Sequence, residues 1–131
     1  MASGRYRSVA IIMGSLLIVA LIVAPYAWRC LEAWGVGLHQ RSVTLELANW
    51  EREHQKIENW ADVERAVGML EYIDGYYVPA DGYRSDPQTE AMLQAQRAQT
   101  CQTIAAALHE YTGEDLGSDS AAWRHWLATK P

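Results

Sequence analysis

Glu51 and His54 stand three residues apart on a stretch with helical periodicity, the spacing by which one helix of a carboxylate-bridged di-iron centre offers two ligands. Such a centre needs a second Glu-x-x-His and further inward glutamates. None of His39, His109 and His125 has a glutamate three residues before it; Ala106 holds that place before His109. His54 is expected at the edge of an apolar stripe, without metal. Glu114, Asp115 and Asp119 cluster near glycines but lack the alternating acids and terminal bidentate glutamate of a calcium loop. Cys101 has no basic neighbour in sequence to lower its pKa, and His109, eight residues on, would lie about 12 Å along a helix, beyond hydrogen-bond reach. Gly113-x-x-x-Gly117 lacks the lysine and preceding strand of a phosphate loop. The expectation is no catalytic residue, no metal and no cofactor.

What would position such residues is a chain of two unlike parts. From Ser8 to Trp28 no side chain is charged, and as a helix this run is about 31 Å long, close to a bilayer's hydrocarbon thickness. Tyr6 borders it on one side, and Tyr26, Trp28 and Arg29 on the other, residue types that favour the headgroup level. A cleaved secretory signal begins in the same way, but cleavage after Ala24 would put Pro25 directly downstream and cleavage after Ala27 would put it at the third upstream position. The run is therefore expected to be a permanent transmembrane helix (residues 8–28) after a short tail (1–7), with lipid as its partner. Gly14 has no glycine four residues away, so a GxxxG seam is absent. Arg5 and Arg7 before the span, against Arg29 and the more distant Arg41 after it, lean towards a cytoplasmic N-terminus and an exported C-terminal domain.

Residues 29–41 read as a juxtamembrane linker and 42–131 as one small helical domain. All acids except Glu32 lie from Glu46 onward in a chain of net charge −5, which argues against nucleic acid and against flat adhesion to anionic lipid. Val43, Leu47, Trp50, His54 and Ile57 form one helical stripe, and Trp60, Val63, Val67, Leu70 and Ile73 continue on another face after Asn59, a helix cap followed by acids. Two helices, or one kinked helix, are expected from Ser42 to Asp74. Gly75 to Asp86 is loop. Asp86-Pro87 opens a third helix with Leu93, Cys101, Ile104, Leu108 and Tyr111 on its stripe, stopped at Thr112-Gly113, and a last helix starts at Ser118 or Asp119. The fold class expected is all-α: one N-terminal transmembrane helix and a bundle of three to four helices. Two cysteines, Cys30 and Cys101, leave a disulfide or two free thiols open.

The stretch from Ala107 to Leu127, with Thr112, Gly113, Asp115, Gly117, Asp119, Trp123 and Trp126, resembles the end of helical arrays in bacterial HEAT-repeat-like proteins. There a repeat helix finishes in Thr-Gly and a Trp-x-x-Trp helix caps the stack. No second copy of such a unit occurs in this chain. The resemblance implies a capped helical hairpin bundle with a structural or interaction role.

Six tryptophans and seven tyrosines, with no phenylalanine, bias the chain towards rings with a polar handle, which suit membrane borders and protein interfaces. The tryptophans of the domain fit helical stripes and are expected in its core. Tyr76, Tyr77, Tyr83 and Arg84 in the loop are the expected exposed contacts for a protein partner. The functional expectation is a membrane-anchored scaffold or adaptor, with an accessory subunit of a larger membrane complex as the alternative.

Overall fold

A computed structural model describes residues 3–77 and 84–130. Four α-helices follow in order, α1 (Ser3–His54), α2 (Trp60–Gly75), α3 (Pro87–Thr112) and α4 (Ser120–Ala128), and no strand occurs among the described residues. The helix ends obey local chemistry. Asn59 and Asp62 form a reciprocal capping box at the start of α2. Asp86 accepts from the Thr89 amide at 2.9 Å with Pro87 in the first turn of α3, and Asp119 caps α4 through the Ala122 amide at 3.0 Å. Gly113, at φ 78°, ends α3 in the left-handed conformation that glycine adopts without a Cβ penalty.

α1 has 52 residues in one piece, a rod of about 78 Å. Residues 29–41, expected as a linker, are helix from end to end. No capping residue or turn motif interrupts them, and Gly35 and Gly37 weaken a helix by only about 1 kcal/mol each. Packing on the domain also begins before residue 42: Val36, Gly37 and Gln40 are already buried.

α3 lies parallel to α1 in a constant register. Gly37 faces Ser85 and Asp86, the buried Thr100 hydroxyl donates to the Leu47 carbonyl at 3.1 Å, and Glu51 meets Gln99 and Thr103. α2 returns antiparallel, with Tyr72 against Trp50 and Tyr76 against Glu46. Between them lies one core, in which Val43, Leu47, Val63, Val67, Leu70, Ile73, Leu93, Ile104, Leu108 and Trp123 are all at most 1 % exposed. α4 closes it: Arg124 pairs with Glu71, and the Ser120 hydroxyl donates to Asp74. The stripes of the sequence fail in two places. Tyr111 is 43 % and Trp60 39 % exposed, because each sits at a helix end where the facing helix has already stopped or turned away.

Ser8 to Trp28 of α1 touch none of this. Every residue of that run is exposed, and α1 is the one helix among the described residues long and apolar enough to cross a bilayer.

Candidate functional site

The residues singled out for chemistry are held by structural duties. Glu51 accepts from Gln96 at 2.7 Å, Gln99 at 2.9 Å and Thr103 at 3.0 Å, all on α3. These donors, the Gln99 amide foremost, hold its carboxyl below the ordinary 4.5. His54 Nδ1 lies 2.9 Å from the Trp50 carbonyl oxygen. Glu51 thus clasps α1 to α3, and no cluster of three or more candidate metal ligands exists among the described residues. Cys30 and Cys101 are both free thiols; Cys101 is buried in the core and burial pushes its pKa up, so it lacks the thiolate character of a nucleophile. His109 lies turned to the Glu114 carbonyl at 2.9 Å.

The loop tyrosines are placed differently from the expectation. Tyr76 and Tyr77 are half-buried and pack against the core rather than standing free. Tyr76 stacks on Tyr72 at 5.2 Å and meets Trp50 edge-on at 5.0 Å, and its hydroxyl donates to Glu46 Oε2 at 2.5 Å. Tyr77 adopts φ 47°, left-handed and costly for a side chain with a Cβ by about 1–2 kcal/mol. Its ring meets His39 edge-on at 4.9 Å. Arg84 is exposed and pairs with Glu90 at 3.2 Å, and Tyr83 lies outside the described residues.

What holds this corner is a residue the sequence reading passed over. Arg97 of α3 donates to the carbonyls of Ile73 at 3.0 Å, Tyr76 at 2.7 Å and Tyr77 at 2.8 Å. A guanidinium fork at a helix C-terminus satisfies orphan acceptors and faces the negative end of the dipole. Its only sequence signal was a lone cation in a polar helix face. Tyr72, also unremarked, is the ring this cluster leaves in solvent, at 53 % exposure.

The Glu46 carboxylate, ahead of burial, raises the Tyr76 phenol from 10.0 to about 12. The folded value lies above the unfolded one, so this bond's contribution is complete below pH 10 and is lost as pH rises through about 12. Ultraviolet titration of the wild type minus Tyr76→Phe is expected to isolate a phenolate step near 12; a difference curve centred near 10 refutes the pairing. The same bond keeps the phenol a donor at neutral pH, suited to holding α2 on α1 and unsuited to acting as a base.

The border residues of the apolar run are all exposed: Tyr6, Tyr26, Trp28 and Arg29. The Trp28 indole N–H donates to Glu32 at 2.7 Å, one turn beyond the run, so this ring's polar edge points away from the apolar segment. At the far end of the molecule, Trp123 is fully buried and donates to the Gly117 carbonyl at 2.7 Å, while Trp126 is half-buried between Trp123, Trp60 and the Lys130 ammonium. These rings are packing residues closing a helical end. No protein-family model, curated protein or solved structure matches the chain.

Proposed function

We propose that this chain is a single-pass membrane protein whose small helical domain binds another protein, as a scaffold or adaptor, without catalysis of its own. The observation that carries the reading is the charge-free run of α1: wholly exposed, about the thickness of a bilayer, and continuous with the helix on which the domain is built. Exposing so much contiguous apolar surface to water is unfavourable, and lipid is the partner that covers it on every side. The commitment of Glu51, His54 and Cys101 to packing and hydrogen bonds supports a binding role over a chemical one.

Anchoring raises the domain's effective concentration for neighbours in the same membrane. Tyr72 with the edges of Tyr76 and Tyr77, and Arg84, form the contact surface proposed here, joined by Tyr83 in sequence. The arginine balance supports a cytoplasmic N-terminus and an exported domain. The turn after α3 and the helix α4 are read as a cap on a short stack, as the resemblance to HEAT-repeat-like chain ends implies.

The test is extraction of membranes with alkaline carbonate, with the mass of the retained protein measured. Retention of the intact 14.7 kDa chain, and release of a version lacking residues 1–28, is the expected result. Release of the full chain, or recovery of a form cut near Ala24 or Ala27, refutes the anchor. Thiol labelling of Cys30 from each side then gives the orientation.

A further inference from the structure

The face of α1 opposite the core is apolar well beyond any membrane. At 100° per residue, Leu31, Trp34, Leu38, Arg41 and Leu45 fall in one arc, turned away from Gln40, Val43 and Leu47, which pack on α3. Leu31, Trp34, Leu38 and Leu45 are 65 %, 66 %, 46 % and 68 % exposed. The arc continues into the apolar run as Ala20, Val23 and Ala27.

Lipid reaches only part of this stripe. With the hydrocarbon edge at Trp28, Leu38 lies about 15 Å and Leu45 about 25 Å further along the axis. The headgroup zone adds only about 5–8 Å per leaflet. A tilt of even about 40° leaves Leu38 roughly 11 Å and Leu45 roughly 19 Å above the edge. Both leucines therefore lie where a protein surface, and not lipid, is in position to cover them.

Charge selects which one. Arg41 stands inside the stripe without a partner among the described residues, and no carboxylate of α1 shares its arc: Glu32, Glu46, Glu51 and Glu53 all fall on other faces. A second copy running parallel would set Arg41 against Arg41, a like-charge contact in an apolar seam. We propose that this face binds a helix of a different membrane protein. That helix leaves the bilayer beside α1, is apolar on its facing side and places a carboxylate opposite Arg41.

The inference rests on the anchored-adaptor reading and sharpens it. Its test is photo-crosslinking of the full chain in its own membranes, with a benzoyl-phenylalanine placed at Leu38, at Leu45 or, as control, at Gln94 on the exposed side of α3. Expected is one adduct from positions 38 and 45, absent from 94, that maps to a segment adjoining a transmembrane helix and containing Asp or Glu. Arg41→Glu should lower its yield about tenfold and Arg41→Lys by no more than about twofold. Reversing the charge of the mapped carboxylate should restore the Arg41→Glu adduct. An adduct of two copies of this chain, an adduct with lipid alone, or a yield insensitive to Arg41→Glu overturns the inference. A partner captured through Tyr72 or Arg84 but not through these leucines overturns it while leaving the adaptor reading intact. Since all the substituted side chains are exposed, circular dichroism of each variant should match the wild type.

Discussion

Trp123→Ala is expected to destabilise the helical domain by about 3–5 kcal/mol, the range for removing a fully buried tryptophan and a large fraction of a small domain's stability. The side chain is 0 % exposed and joins α4 to the core shared by α1, α2 and α3. Its indole N–H is also the donor that satisfies the Gly117 carbonyl, in a turn where Gly117 has φ 56°. Two losses therefore combine, a cavity and an unpaired acceptor. Trp123→Phe separates them: it keeps most of the packing and should cost about 1–2 kcal/mol. Urea unfolding of the detergent-solubilised chain, followed by near-ultraviolet circular dichroism, reads both. A cost below about 1 kcal/mol for the alanine variant would mean that α4 is an appendage rather than the lid of the core.

Arg97→Ala is expected to cost about 2–3 kcal/mol, from the loss of charge-assisted bonds to three carbonyls at the end of α2. The left-handed conformation of Tyr77 depends on the same fork, so the residue should also lose its fixed packing on His39. Arg97→Lys retains the charge but not the fork and should recover less than half of the loss. Hydrogen exchange at Tyr76 and Tyr77, measured beside global unfolding, distinguishes a local clamp from a merely favourable charge. If exchange there is unchanged in Arg97→Ala, the clamp is refuted.

The helix boundaries were legible because they depend on neighbours in sequence. Asn59 with Asp62, Asp86 with Pro87, Thr112 with Gly113, and Asp119 each act within a turn of themselves, and each stands where its chemistry places it. The core leucines and valines followed from spacing alone. What stayed hidden involves partners from 20 to 52 residues away. Arg97 reads as surface until the end of α2 is brought to it, and the role of Glu51 stays invisible until α3 supplies three neutral donors. Tyr76 and Tyr77 resemble free loop rings because nothing local says that α1 passes beneath them. The segment read as a juxtamembrane linker, 29–41, is helical throughout, because it gains packing at Val36 and Gln40 that its sequence neighbours do not announce.

That unbroken rod has a consequence for motion. A domain on a loose tether swivels and explores a hemisphere above its anchor, whereas on the proposed reading of the apolar run as a span this one would inherit the height and heading of that span. A rotation of the span about its axis would become an equal swing of the domain, and a change in tilt would move Trp123, near its far end, through a wide arc. One residue inserted between Trp28 and Val36 would lift the domain by about 1.5 Å and turn it by about 100°, aiming the same surface at a different neighbour.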